Sequence, residues 1–350
     1  MSDRKVDHLA LCTDADVGFQ GKTNLLEQVK LMHCSLPELA VDDVSLQTNF
    51  VGARVNAPIM IAAMTGGTER ANQVNRDLAI VAEELGLAMG FGSMRPLLEQ
   101  GNRHGYFVRD VAPNAVLLGN IGVVQARGSS TEQLNNMIGE TGVNALCVHL
   151  NPAQEMVQPE GDVDFRGGLD TLARLISELD VPVVVKETGC GISREVGRKL
   201  ADIGARWVDC SGAGGTSWVA VETLRARARS KRLGELFWDW GIPTAASVAQ
   251  LSGLGLRIVA TGGVQTGLDV ARAMALGAQV GGLARPFLIA QAQGGSAAVK
   301  ELALGLIDEL RVACLLCGVK RPVDLDRTSL VLGPELAAYV PKDSPLHQRM

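Results

Sequence analysis

The chain has 350 residues, 47% of them hydrophobic and 20% charged, enough to bury a large core as one α/β barrel with extensions or as two ordinary domains. A formal net charge of -5 offers no basic field for collecting nucleic acid, and no apolar run reaches the roughly 18 residues of a membrane span. The expectation is a cytoplasmic protein that binds small molecules. Seven scattered cysteines, an odd number, fit reduced thiols rather than a secreted disulfide framework.

From Ala57 onward, short apolar runs alternate with longer amphipathic segments, which is how a parallel sheet of βα units reads. The strand candidates are Ile59 to Ala63, Leu87 to Gly90, Val116 to Gly119, Ala145 to Leu150, Val183 to Lys186, Trp207 to Cys210, Arg257 to Ala260 and Gln279 to Leu283. Helical periodicity falls between them, over Asn72 to Leu85, Thr131 to Thr141, Leu169 to Leu179, Ser193 to Ala201 and Leu268 to Leu276. Ser193 and Thr131 supply capping hydroxyls, and Gly86, Gly142, Gly204 and Gly277 stand where helices should stop. Eight such units predict a (β/α)8 TIM barrel over residues 57–295, with an N-terminal extension over 1–56 and a C-terminal helical extension over 296–350. A doubly wound open sheet is the alternative.

The segment from Glu222 to Trp240 breaks this rhythm. Its Arg225, Arg227, Arg229, Lys231 and Arg232 precede Phe237-Trp238-Asp239-Trp240, and it reads as an insertion in the sixth βα loop. A charge run of this kind is usually a solvated face, with a lid or subunit contact as the other possibility. Cys314 and Cys317 form a lone CxxC on an apolar helical stretch, which favours packing over metal or redox chemistry.

In a barrel, catalytic groups project from the C-terminal ends of the strands, so the residues after each apolar run carry the information. Gly262-Gly263 and Ala284-Arg285 follow the seventh and eighth strands, where barrels often hold phosphate on bare amides. Gly214-Gly215-Thr216 follows the sixth and supplies a third donor set. Lys186 ends a wholly apolar strand and should point into the barrel mouth, where a fixed cation stabilises negative charge on a reduced isoalloxazine ring. An ion pair with Glu187 is disfavoured because neighbouring strand residues face opposite sides. After the fourth strand, His149, Asn151, Gln154 and Glu155 gather polar groups, and Glu155 is the metal candidate. Magnesium needs only one or two carboxylates when the substrate carries a diphosphate.

Six motifs together resemble the FMN-dependent type 2 isopentenyl diphosphate isomerases. They are Arg4-Lys5-Val6-Asp7-His8, Met64-Thr65-Gly66-Gly67, Gly92-Ser93-Met94-Arg95, His149 to Glu155, Lys186-Glu187 and Gly212-Ala213-Gly214-Gly215-Thr216. The match runs from Arg4 to about Phe287, and the stretch from His149 to Glu155 is its most specific part. The resemblance implies that Ala63, Met64, Thr65, Ser93, Asn120, Lys186, Ser211, Thr216, Gly262, Gly263, Val264, Gln265, Ala284 and Arg285 hold FMN. Arg4, Lys5, His8, Ser93, Arg95, His149, Asn151 and Gln154 would surround the substrate, the N-terminal extension thus completing its site.

The same resemblance implies that Glu155 binds Mg2+, that NADPH serves only to reduce the FMN, and that reduced flavin carries out acid-base chemistry at N5 while a double bond moves. Gln154, too weak to be a base, would orient or relay at the alkene face. The apolar C-terminal helices and the N-terminal arm suggest a homo-oligomer. Two other readings stay open: an FMN-dependent 2-hydroxy acid oxidase or dehydrogenase, and a non-catalytic flavin-binding barrel. The first needs a histidine base after a late strand, yet none occurs between His149 and His347.

Overall fold

All eight apolar runs become strands: β1 (Ile59–Ile61), β2 (Ala88–Gly90), β3 (Val116–Gly122), β4 (Ala145–Leu150), β5 (Val183–Glu187), β6 (Trp207–Asp209), β7 (Arg257–Ala260) and β8 (Ala278–Leu283). The structure, a computed structural model, describes residues 2–350, with the side chains of residues 2–4, 6 and 228 outside the described set. Each strand pairs in parallel with its neighbour in sequence, and β8 returns to β1 through Gly281↔Ile59, Gly282↔Met60 and Leu283↔Ile61. That last pairing closes the ring and rules out the open sheet. β3 runs three residues beyond its expected end, because Asn120, Ile121 and Gly122 continue the ladder with Cys147, Val148 and His149 of β4.

The strands are buried on both faces, inside by one another and outside by the helices, so their sequences are continuously rather than alternately apolar. At the N-terminal end, a hairpin of Thr48–Phe50 and Ala53–Val55 plugs the barrel. Phe50 packs edge-on against Trp207 of β6 at 4.9 Å between ring centroids, in an interior cluster with Val51, Val55, Val116 and Val259. With the floor sealed, the C-terminal end is the open mouth.

The helices begin where the hydroxyls are. Ser193 accepts from the Val196 amide as expected, but Ser130 rather than Thr131 caps the next case. The Ser130 hydroxyl takes the Gln133 amide at 3.1 Å and Gln133 returns the bond to the Ser130 amide at 2.9 Å, a reciprocal box that moves the cap back by one residue. Gly86 and Gly142 end their helices in the left-handed region at φ 65° and 67°.

The stretch after β6 holds two extra helices, Trp218–Arg225 and Ala228–Phe237, before Thr244–Leu251 takes the barrel position. Arg227, Arg229, Lys231 and Arg232 are exposed, in line with a solvated run. Glu222 is not: it is wholly buried, and the reason lies at the mouth. The last long helix, Arg285–Leu316, is bent at Gly294–Gly295, where φ reaches +59°, and it continues past the barrel into the tail. There Leu330–Leu332 pairs antiparallel with Val29–Leu31, tying the tail to the N-terminal segment.

Replacing Ser130 with Ala should cost about 1 kcal/mol. Urea unfolding checks it: the midpoint should fall while the slope stays constant.

Candidate active site

Two adjoining cavities open at the mouth. They share Ala63, Lys186, Thr188, Thr216, Ala284 and Arg285, so they form one continuous chamber, the larger part of about 760 Å³. The larger part is lined by Ser211, Gly262, Gly263, Val264 and Gln265. The smaller is lined by Lys5, His8, Met64, Thr65, Ser93, Arg95, Asn120, His149, Asn151, Gln154 and Glu155. Every expected site residue with a described side chain therefore faces the chamber. The Arg4 side chain lies outside the described residues.

The glycine loops fit a phosphate. A Cβ on Gly215 would lie 2.3 Å from the Gly263 nitrogen, and one on Gly263 would lie 2.5 Å from the Gly214 oxygen, so only bare backbone fits where these loops meet. Asn24 fixes the Gly263 carbonyl at 2.6 Å and Thr244 the Gly262 carbonyl at 2.5 Å. Beside them begins the helix at Arg285, whose first residues Arg285 and Pro286 line the same cavity, with the N-terminal end of the helix favouring an anion there. Arg285 itself spends its guanidinium elsewhere. It donates to the Cys12 and Ala15 carbonyls at 3.0 and 2.9 Å, where the arm helix Ser2–Asp14 ends.

Lys186 is buried at the end of β5, and its ammonium donates to the Glu187 carbonyl oxygen. The Glu187 carboxylate turns away and accepts from the Thr188 and Cys190 amides, so the two side chains do not pair. Burial pushes the Glu187 carboxyl up to about 7, against the pull of those amides and of Lys186.

His149 is held by a chain of donors. Asn120 donates its amide to the Phe91 carbonyl at 3.1 Å, which turns its oxygen toward His149 Nδ1 at 2.8 Å. Nδ1 is thus the protonated nitrogen and Nε2 carries the lone pair. Burial, then the charges of Lys186 and Lys5, push this ring down to about 3, so it is neutral.

Asn151 donates to Glu155 at 2.7 Å, and the Asp162 amide donates to the other carboxylate oxygen at 2.8 Å. Glu155 is thereby oriented from both sides. Among the described residues, no group of three or more His, Cys, Asp or Glu side chains could hold a metal ion. A cation here would take Glu155 and otherwise oxygens from ligand and water.

The buried Glu222 explains itself here. It accepts from Gln154 at 3.3 Å and from Arg225 at 2.7 Å, and His8 Nε2 lies 2.9 Å away, close but without the alignment of a hydrogen bond. Burial works to raise its pKa, but His8, Arg225 and Gln154 more than offset that and hold it below the usual carboxylate range. The arm helix delivers Lys5 as well, whose ammonium donates to the Gly66 and Ser93 carbonyls and to the Tyr106 hydroxyl at 2.5, 3.0 and 3.1 Å. Sequence reasoning missed Glu222 and Tyr106. A carboxylate inside the apolar run Val219-Ala220-Val221-Glu222 was the available signal for the first; nothing marked the second.

Known proteins agree with this picture. A family model of FMN-dependent dehydrogenases matches residues 152–332. The isopentenyl-diphosphate delta-isomerase of Methanothermobacter thermautotrophicus is 41% identical over 335 residues, covering 95% of this chain and 93% of that one. The enzyme of the same name from Methanosarcina acetivorans is 45% identical over 323 residues, covering 91% and 88%. The chain belongs to the isopentenyl-diphosphate delta-isomerase family. Among solved structures, a lactate oxidase from Pediococcus acidilactici superposes with a TM-score of 0.68 at 17% identity, covering 90% of this chain and 88% of that one. A mandelate oxidase variant with an FMN adduct gives 0.65 at 19%, covering 93% and 95%. At such identities these two share the barrel fold with this member of the isomerase family.

His149 makes the site acid-sensitive. Its folded-state pKa of about 3 lies below the ~6.5 of an unfolded histidine, so the unfolded chain takes up the proton first as pH falls. The contribution is complete above pH ~6.5 and is lost on the way down toward 3. Urea titrations at pH 7 and pH 4 should show the wild type losing more stability than His149→Gln; equal losses would contradict the assignment.

Proposed function

We propose that this protein interconverts isopentenyl and dimethylallyl diphosphate in the cytoplasm, moving a double bond with no net oxidation. It uses FMN in the larger cavity, Mg2+ at Glu155, and NADPH only as the source of reducing equivalents. Residues 57–295 form the cofactor-binding barrel, residues 1–56 complete the substrate site and residues 296–350 extend the barrel. No described helix is long and apolar enough to cross a membrane. The observation that carries the reading is the pairing, in one chamber, of a bare-amide phosphate cradle with Gln154 hydrogen-bonded to the buried Glu222.

Bound in its reduced form, FMN supplies a ring nitrogen able to give and take a proton beside the alkene. The protein's own groups do the rest. Ala63, Met64, Thr65, Ser93 and Asn120 on one side, and Ser211, Thr216, Val264 and Gln265 on the other, shape the cofactor's place, with Gly262, Gly263, Ala284 and Arg285 at its phosphate end. Lys186 would supply a fixed positive charge to the reduced ring, and burial strengthens that charge's effect.

Arg4, Lys5, His8, Arg95, His149 and Asn151 would surround the diphosphate, and Glu155 would hold Mg2+, which would neutralise the charge of the diphosphate. His149 Nε2 has a lone pair in the free protein, so it donates to the diphosphate only after gaining a proton that the anionic ligand favours. Gln154 is oriented by Glu222, which accepts from the Gln154 amide, and by Asn151, which donates to the Gln154 oxygen at 3.5 Å. Glu222, its pKa held low beside Arg225, keeps that orientation without being a strong base.

Leu224, Leu236, Phe237 and Trp240 are exposed on the two extra helices and the turn after them, with Phe237 and Trp240 5.6 Å apart between ring centroids, and such exposed apolar side chains support self-association into a homo-oligomer.

Anaerobic incubation with FMN, NADPH, Mg2+ and isopentenyl diphosphate in deuterated water, followed by NMR, tests the reaction. Deuterated dimethylallyl diphosphate is expected; FMN binding without conversion would overturn it. Glu155→Gln should lower kcat/KM on the order of 100-fold or more, with FMN binding unchanged.

A further inference from the structure

One buried carboxylate at the mouth has no part in the roles above. Asp209 ends β6, is 2% exposed, and lines the larger cavity with Lys186 and Thr261. It sits directly across the ladder from Lys186, through the register pair Lys186↔Asp209, so the two side chains leave the sheet on the same face. One of its oxygens accepts from the Thr261 hydroxyl at 2.6 Å and from the Ser211 amide at 3.1 Å. Ser211 reaches it by adopting a left-handed backbone at φ 37°, a conformation that costs a non-glycine residue energy and is typically kept where a site demands it. Burial pushes the Asp209 carboxyl up, while Lys186, Thr261 and Ser211 all favour its ionised form.

A carboxylate placed there makes little sense as scaffolding alone, since an amide or a serine could accept the same two hydrogen bonds without the cost of burying a charge. What only a charge supplies is a field on whatever occupies the cavity beside Lys186. We propose that Asp209 is a positioning residue that acts as the counter-ion of Lys186 and sets the reduction potential of the bound flavin. This rests on the FMN reading of the chamber.

The sign follows from charge. Two-electron reduction places negative charge on the isoalloxazine ring, which Lys186 stabilises and Asp209 opposes. Lys186 alone would hold the reduced cofactor too tightly relative to the oxidised one. The pair leaves a moderate field at the end of β5, where the Glu187 carbonyl holds the ammonium. Neutralising Asp209 therefore favours the reduced form. One unit charge within about 10 Å in a partly shielded site changes the ratio of oxidised to reduced dissociation constants on the order of tenfold. That corresponds to about 30 mV in a two-electron couple.

The test is the midpoint potential of bound FMN by equilibration with a reference dye, in wild type, Asp209→Asn, Asp209→Ser and Asp209→Glu. The first two variants keep an oxygen for Thr261 and Ser211. Both should raise the potential and tighten reduced over oxidised FMN by about tenfold, while Asp209→Glu stays near the wild type. An unchanged or lowered potential in either neutral variant, with FMN still bound, overturns the inference and leaves the cofactor reading standing. Failure of the wild type to bind FMN overturns both. Should Asp209→Asn not fold, Asp209→Ser decides the question by the same criterion.

Discussion

The grip of Arg285 on the end of the arm helix is the contact on which the site depends. A helix leaves its last carbonyls unpaired and negative, and a guanidinium is the side chain best suited to take two of them. Arg285 stands at the end of β8 and takes Cys12 and Ala15, which brings Ser2–Asp14 down over an otherwise open barrel. The chain beyond it is pinned as firmly. Val17 is fully buried and its carbonyl accepts from Ser217, Gly18 pairs with Thr216, and Asp239 takes the Gln20 and Gly21 amides. Lys5 and His8 reach the mouth only because of this docking.

The mouth is electrically busy in a protein whose net charge is only -5. Each buried charge has an answer close by: Glu222 has His8 and Arg225, Glu187 has two amides, and Asp209 has Lys186 and Thr261. Lys5 and Lys186 both act on the neutral ring of His149, and the bare amides of the glycine loops line the same chamber. An anionic cofactor and an anionic substrate would meet those cations and amides in one chamber, where His149 is neutral in the free protein.

Much of this was legible in the chain. Strands buried on both faces read as plain apolar runs, so all eight could be placed, and in a barrel the residues after them must form the mouth. That is why Ser93, Asn120, His149, Gln154, Lys186 and Gly262 could be named without coordinates and why they converge. Local rules failed where the deciding partner is distant. Glu222 sits in a helix just before a charge-rich stretch, and only its contacts with His8, far back in the chain, and with Gln154, 68 positions away, explain why it is buried. Tyr106 looks like a loop aromatic until Gly66 is seen to leave room for its ring, 2.2 Å from where a Cβ would stand. The hairpin around Phe50 gave no hint that it closes the barrel floor.

If the chamber is composite, with the barrel holding the cofactor and the docked arm completing the substrate site, the two functions should separate. The most direct measurement is FMN affinity and isopentenyl diphosphate turnover in a protein lacking residues 1–8, side by side with the full chain. The account predicts FMN affinity within about threefold of the full chain, a change smaller than one ordinary hydrogen bond, and turnover reduced by orders of magnitude. Full turnover without the arm, or loss of FMN along with it, would contradict the division of labour described here.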